Sequence, residues 1–429
     1  MENSTEAVTR LVFQLAVILI AAKLGGEAFE RFLKMPAVLG ELAAGIIIGP
    51  FALGAIDIPG TGPLFLDLAG GEGGATGFII PVSEGLWSIA QVGSIVLLFV
   101  AGIETDLRQF LRYARQATLV AAGGVALPFV LGVVLTVWFG FADGYSDTKA
   151  LFIGAVLTAT SIGITVRVLG DLRQLNTPEG VTVLGAAVLD DVVGILVLTI
   201  VVGLSASGEF SGASVGLVAL KAFGFWIALT GIGILLSRHI SNLFGRFQVS
   251  GASLALALAL AFLAAGLAES FGLAMIIGAF SIGLALSGTE LAERLDAPLS
   301  AVYAALVPIF FVVMGMLVDV SSLGGIWAFG LVITAFAVVG KIVGSGVPAL
   351  LAGFNRRGAW RIGVGMMPRG EVALIMAGIG ISKGVLGADL YGVSIMMTIV
   401  TTALAPPILA LSFRSGSSGL RVRPPSKDA

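Results

Sequence analysis

Apolar stretches long enough to cross a bilayer, roughly eighteen residues or more, recur from one end of this chain to the other. In lipid, every backbone N–H and C=O must be bonded inside the protein, which leaves only helix bundles and closed barrels. A barrel would show short strands of alternating hydrophobicity, and these runs do not alternate. Thirteen spans are predicted: 8–29, 36–56, 85–103, 116–140, 150–170, 179–204, 213–236, 250–268, 271–288, 299–318, 325–353, 361–382 and 389–412. No soluble domain is read between them. A chain that is 57% hydrophobic and 12% charged lacks the charge to cover the water-facing surface of a soluble domain of 429 residues. Its 60 glycines suit close helix packing in lipid. With no cysteine, disulfides, thiolate metal sites and thiol catalysis are excluded. The one histidine, His239, lies in a basic loop and reads as a surface residue. The first apolar segment shows no cleavage-site pattern and reads as the start of the bundle.

Charge asymmetry predicts an orientation. Loops after odd-numbered spans, with the tail, hold most of the 24 Lys and Arg residues, among them Lys23, Arg31, Lys34, Arg108, Arg112, Arg115, Arg356, Arg357 and Arg361. The opposite face holds Arg10, Lys149 and Lys383. The positive-inside rule then places the amino terminus outside and the carboxyl terminus in the cytoplasm. The tail, 414–429, is short, polar and rich in Ser, Gly and Pro, and is expected to be disordered.

The spans repeat. Ala37-Val-Leu-Gly40-Glu-Leu-Ala-Ala-Gly45 in span two matches Met275-Ile-Ile-Gly278-Ala-Phe-Ser-Ile-Gly283 in span nine. The end of span three, Gly102-Ile-Glu-Thr-Asp106, matches that of span ten, Gly315-Met-Leu-Val-Asp319. Ile153-Gly154 opens span five as Ile362-Gly363 opens span twelve. Each match links spans seven apart, an odd number, so the two copies face opposite ways across the membrane. The expected fold is an all-α polytopic membrane protein with two inverted six-helix repeats, 1–6 and 8–13, joined by span seven. In such transporters the site lies near the midplane where the repeats meet.

Costly residues mark that site. Asp190-Asp191 lies near the middle of the apolar run 185–204, where each carboxylate costs about 2.5–3.5 kcal/mol on insertion scales. Two acids there can bind a cation or protons. On a helix they point about 100° apart, so they cannot share one partner equally. Lys341 in span eleven is the candidate base for one of them; a structural ion pair that fixes helix packing is the alternative. The repeat sets Thr158-Ala-Thr160-Ser161 opposite Met367-Pro368-Arg369-Gly370. Pro368 removes a backbone donor and Gly370 permits unwinding, so two broken helices are expected to cross, offering carbonyls to a cation. Arg369 and Glu371 flank the second break and could balance charge or serve structure alone. Glu41 in span two could line a pathway. Asp106 and Asp319 lie at span ends, where they would cap or be solvated. Lys221 is given no role, because it can snorkel.

Taken together, these residues resemble the Kef-type branch of the monovalent cation:proton antiporters. The similarity rests on Pro36-Ala-Val-Leu-Gly-Glu-Leu-Ala-Ala-Gly-Ile-Ile-Ile-Gly-Pro50, Thr158-Ala-Thr-Ser161, Leu189-Asp-Asp191, Pro308-Ile-Phe-Phe311 and Pro368-Arg-Gly-Glu-Val-Ala-Leu374, in family order. The nearest pattern is that of the electrogenic Asp-Asp sodium/proton antiporters. The resemblance implies a homodimer in the cell (inner) membrane that works as an elevator. Its scaffold would be 1–115 and 250–320, its mobile core 116–204 and 321–413, and its connector 205–249. It implies Asp191 as the main cation and proton carrier, Asp190 as the partner of Lys341, and Thr160, with Ser161 beside it, at the crossed-helix site. It implies two protons per sodium and no cofactor beyond the transported ions. The Kef potassium-efflux proteins carry a nucleotide-binding domain and lack the acid pair. No Gly-x-Gly-x-x-Gly pattern follows Arg414. Both differences favour sodium, with lithium or potassium open.

Other classes remain. A cation channel on the same fold would need no proton coupling. A symporter would need a polar pocket for an organic substrate. An intramembrane aspartyl protease needs two carboxylates facing one water, which adjacent acids on one helix do not provide. The chain is therefore expected not to be an enzyme, and nothing points to nucleic acid.

Overall fold

The computed structural model describes residues 2–58, 62–65, 81–207, 212–318, 327–414, 416 and 418–421. Helices dominate: α1 (Glu2–Ala28), α2 (Ala37–Ile48), α3 (Glu84–Glu104), α4 (Leu107–Trp138), α5 (Thr148–Thr158), α6 (Ile162–Asp171), α7 (Pro178–Ser207), α8 (Gly212–Phe244), α9 (Ala252–Ser270), α10 (Met275–Leu286), α11 (Glu290–Met316), α12 (Trp327–Leu351), α13 (Arg356–Gly365), α14 (Glu371–Ser382) and α15 (Ala388–Phe413). Among the described residues, eleven stretches are long and apolar enough to cross a membrane, and Met275–Leu286 and Glu371–Ile381 are shorter apolar helices. One small antiparallel pair, Asp57–Ile58 with Gly62–Pro63, sits in the loop after α2. Arg10 and Gln14 of α1 pin that loop by donating to the carbonyls of Pro63 and Leu64.

Predicted and observed helix bounds differ where a helix leaves the membrane. Span four was expected from 116, yet α4 starts at Leu107. The extra turns are amphipathic: Phe110, Tyr113 and Ala117 are buried while Arg108, Arg112 and Arg115 face out. The start of α11 behaves alike, with Leu291, Leu295 and Leu299 buried. Charge marks the edge of the apolar span, whereas 3.6-residue periodicity carries the helix past it. Span two is cut short after Ile48, just before Gly49-Pro50, because the residue before a proline avoids the helical region. The tail also departs from expectation. Residues 418–421 are held on the loop between α12 and α13, where Asn355 N–H donates to Gly419 O (2.8 Å) and Arg421 N–H to Gly353 O (3.1 Å). The Asn355 carboxamide adds bonds to the carbonyls of Ser418 and Leu420. Residues 415, 417 and 422–429, and Asp319, lie outside the described residues.

The helices pack in two groups. In one, α1, α2, α3, α9, α10 and α11 lie on each other; in the other, α4, α5, α7, α12, α13, α14 and α15 do so. Helix α8 packs chiefly on α10, and α6 touches α3 of the first group and α7 and α15 of the second. Backbone contact at small residues follows the repeat. Gly45 of α2 meets Gly315 of α11 with a built Cβ 2.9 Å from the facing Cα, and Gly283 of α10 meets Gly102 of α3 at 3.0 Å. Those positions are the ones matched between the copies, so α2–α11 and α3–α10 are the same contact made twice. A Cβ on Gly45 would enter the carbonyl oxygen of Val312. Gly45→Ala is therefore expected to cost about 1–3 kcal/mol by overpacking. Gly216→Ala on α8, with nothing within 4 Å of its Cβ, is expected to cost nothing. Thermal melting in detergent distinguishes the two.

Capping residues sit at the helix starts, as the sequence implies for Asp106. Its carboxylate accepts the backbone N–H groups of Arg108 (2.7 Å) and Gln109 (3.1 Å) at the start of α4. The bond from Gln109 chiefly holds this exposed carboxyl below its ordinary value of 3.8. A depressed carboxyl stabilises the fold above its ordinary value and loses that contribution as pH falls through the folded value. Asp106→Ala should lower stability by about 1 kcal/mol at neutral pH, and the gap to wild type should narrow below about pH 4. Melting curves across pH check both statements.

Candidate ion-binding site

Both expected breaks are present. The first span of the pair runs as α5, stops at Thr158, and resumes as α6 at Ile162. The second runs as α13, stops at Gly365, and resumes as α14 at Glu371. The two breaks bond to each other. Ser161 N–H donates to Pro368 O (2.8 Å), Thr160 Oγ1 to Met366 O (3.3 Å), and Thr165 Oγ1 to Gly365 O (2.7 Å). Backbone groups freed by each break are thus partly satisfied by the other, which is what a non-helical segment at this depth requires.

Arg369 is fully buried. Its guanidinium donates to the carbonyls of Leu157 (2.7 Å), Met367 (3.2 Å) and Ala337 (3.3 Å). Leu157 O belongs to the last turn of α5, so this cation meets the negative end of a half-helix as well as a carbonyl of its own break, Met367 O, and one of α12, Ala337 O. The Arg369 carbonyl accepts from Thr402 Oγ1 on α15. A planar fork with several donors serves this position in a way a lysine cannot. Arg369 holds the crossing together, and no acid among the described residues lies within ion-pair distance of it.

Helix α7 presents the two acids to the crossing. Asp190 Oδ1 accepts from Lys341 Nζ of α12 at 2.9 Å, with side-chain exposures of 1% and 0%. Gly124 of α4 lies beside this pair, and a Cβ there would press on the Ser345 hydroxyl, one turn along α12 from Lys341, at 2.5 Å. Asp191 takes no part in that pair, as the angular separation of neighbours on a helix implies. Among the described residues, its Oδ2 meets no hydrogen-bond partner within ordinary geometry, and neither do Asp190 Oδ2, Ser161 Oγ or Glu371 Oε2. Buried polar atoms are nearly always bonded, so Asp191, with no donor on its Oδ2 among the described residues, is an acid with unused acceptor capacity beside the crossing. Asp191 lies within electrostatic range of Asp190, Glu371 and Lys341. The structure thus brings together Asp190, Asp191, Thr160, Ser161, Lys341, Arg369 and Glu371.

Glu41 is placed elsewhere. It is buried and its carboxylate faces Arg167 of α6 at 3.5 Å. Sequence reasoning gave Arg167 no role, although its spacing to Asp171 marks an i,i+4 pair, observed at 3.3 Å. It also set Arg361 among the loop charges. Arg361 is instead buried in α13, bonded to Glu179 of α7 at 2.7 Å and lying over the Phe413 ring at 4.5 Å. Its position at the first residue of predicted span twelve was the available signal. Lys221 and His239 are exposed on α8.

Two inverted copies with broken helices crossed at a polar centre make this the architecture of a secondary transporter. The chain belongs to the sodium/hydrogen exchanger family, whose transmembrane model matches residues 16–414. It is 39% identical over 418 residues to the high-affinity Na+/H+ antiporter NhaS3 of Synechocystis sp., covering 94% of this chain and 90% of that protein. It is 35% identical to the Na+/H+-K+ antiporter GerN of Bacillus cereus, over 95% of this chain and 98% of that one. The solved structure of MjNhaP1, a sodium proton antiporter from Methanocaldococcus jannaschii, shares the fold with a TM-score of 0.66 at 17% identity, covering 95% of this chain and 99% of that one.

Removing Lys341 alone strands a buried carboxylate. Lys341→Met is expected to cost about 3–5 kcal/mol, whereas Lys341→Met combined with Asp190→Asn should recover most of that loss. Equal melting temperatures for the single and double variants would refute the coupling.

Proposed function

We propose that this protein exchanges a monovalent cation for protons across the cell membrane by alternating access, with sodium as the principal ion. The observation that carries this reading is Asp191, a buried carboxylate with an oxygen that no donor among the described residues reaches. If all are ionised, Asp190, Asp191 and Glu371 oppose Lys341 and Arg369, which leaves one negative charge for one monovalent cation or one proton. Competition between those two ligands for Asp191 is the coupling. Neutralising the charge lowers the cost of moving the site through a low-dielectric barrier. Protonation of Asp190 with release of Lys341 supplies the second proton of an electrogenic cycle. Ser161, Thr160 and Glu371 border the ion, and Arg369 fixes the crossed backbone that borders it.

The two packing groups support a division into a scaffold, built from the first, and a core that carries the site, built from the second. On this reading Met275–Leu286 and the α13–α14 pair complete thirteen crossings. The protein acts as a dimer, and the charge-rich loops lie in the cytoplasm. A second reading keeps the mechanism and changes the ion to potassium. The name of GerN, which pairs sodium and potassium, favours keeping it. Proton movement in proteoliposomes, followed with an internal pH dye after adding sodium, lithium or potassium, ranks the ions. Asp191→Asn should reduce cation-driven proton flux to the level of protein-free vesicles while the protein stays folded. Wild-type flux in that variant would overturn the assignment, and dependence on a clamped membrane potential tests the two-proton cycle.

A further inference from the structure

The contact between the two helix groups along α6 is mainly apolar. A Cβ built on Gly163 meets the Leu97 side chain of α3 at 3.5 Å and the Phe310 ring of α11 at 3.4 Å, ordinary van der Waals separations. One charged contact interrupts it. Arg167 of α6 places Nη2 3.5 Å from Glu41 Oε1 of α2 and its Cζ 5.2 Å from the centre of the Tyr303 ring of α11. Glu41 and Tyr303 belong to the first group, Arg167 to the span that carries Thr160 and Ser161. The other buried ion pairs described above, Lys341–Asp190 and Arg361–Glu179, lie inside the second group.

Each partner also has an alternative within its own group. Arg167 Nε is 3.3 Å from Asp171 Oδ2, one turn along α6. Glu41 is within electrostatic range of Lys23 on α1, whose ammonium donates to the carbonyl of Ala304, next to Tyr303. Glu41 Oε2 has no hydrogen-bond partner among the described residues, so the carboxylate has an acceptor to spare. Breaking a buried pair is strongly unfavourable when it leaves a bare charge. Here separation leaves Arg167 with Asp171 and Glu41 with Lys23, so neither charge is stranded.

We propose that Arg167 and Glu41 form a releasable latch that holds the core against the scaffold in the state seen here, with Asp171 and Lys23 taking over when the core moves. This rests on the elevator reading above. The latch is a cation–anion contact with an aromatic backstop, because Tyr303 offers its ring face to the guanidinium. It sets how long this state lasts and contributes no ligand to the transported ion.

The chain has no cysteine, so a single Ser300→Cys reports on the cleft. Ser300 lines a cavity of about 220 Å³ between α3, α6 and α11, together with Asp171 and Tyr303. The labelling rate with a membrane-impermeant maleimide is measured in proteoliposomes that also report sodium-driven proton flux. Adding Glu41→Gln should change that rate by about fivefold, the effect of roughly 1 kcal/mol on a two-state equilibrium. Asp171→Asn should move the rate the opposite way, since it leaves Arg167 with Glu41 alone. Glu41→Arg combined with Arg167→Glu keeps an opposite pair at the contact but sets like charges against Asp171 and Lys23, so it should move the rate the same way as Asp171→Asn. Should Glu41→Gln fail to fold, Tyr303→Leu tests the same contact and should shift the rate in the direction opposite to Asp171→Asn. Unchanged labelling in folded Glu41→Gln, or shifts of the same sign in Glu41→Gln and Asp171→Asn, would overturn the latch. Loss of proton flux from the Ser300→Cys parent and from wild type alike would instead count against the exchange reading.

Discussion

Backbone polarity in an apolar solvent is the constraint on which the rest of this structure depends. A helix broken inside a membrane leaves carbonyls and amides without partners, each at a cost of several kcal/mol. Here two breaks are set against each other, and Ser161 N–H, Thr160 Oγ1 and Thr165 Oγ1 bond to carbonyls of the opposite break. The Arg369 guanidinium collects three more carbonyls. Neither break would be tolerable alone. The crossing is therefore a mutual requirement of the two copies of the repeat, and it fixes where a polar site can exist in a chain this apolar.

The charges follow from that arrangement. A guanidinium satisfied by carbonyls keeps its full positive charge without neutralising any acid, so it raises the capacity of the site for carboxylates. One of these, Asp190, is tied to Lys341 at 2.9 Å. Asp191, one residue further along the same helix, is turned away from that pair and keeps an oxygen unbonded among the described residues. The adjacency of two acids on one helix thus separates them by geometry: one is fixed by a base, and the other is free to take the role proposed for it.

Much of this is legible in the sequence because lipid narrows the possibilities. The apolar runs give the class, and the match of Gly45 with Gly283 and of Gly102 with Gly315 gives the inverted repeat. The structure shows that those four glycines pair across helices in two equivalent contacts. Pro368 and Gly370 announce one break, and the repeat points to its counterpart at Thr160, which carries no breaker of its own. The Lys341–Asp190 pair follows from cost, since a lysine in such a span needs a partner. Arg167 and Arg361 were not legible in this way. Both lie near the ends of apolar runs, where an arginine ordinarily reaches water, and only the neighbouring helices α2, α11 and α7 make their sites interior. Helix bounds at Leu107 and Glu290 escaped for a related reason: hydropathy reports the edge of the bilayer, whereas amphipathic turns continue the helix beyond it.

Packing also differs between the places where the proposed motion must occur and those where it must not. Inside each group the helices meet through backbone, Gly45 against Gly315 in one and Gly123 against Gly344 in the other. Such contacts have no side chain that could rearrange, and sliding would drive carbonyl oxygens into Cα atoms. Between the groups, Gly163 of α6 faces the side chains of Leu97 on α3 and Phe310 on α11, with room for a methyl group between them, and those side chains can rotate. Close-packed interiors resist continuous deformation. A displacement therefore falls along α6, the element that carries Arg167 toward the scaffold and begins directly after Ser161 at the crossing. The crossing and the contact proposed to restrain the motion are thus joined by one half-helix.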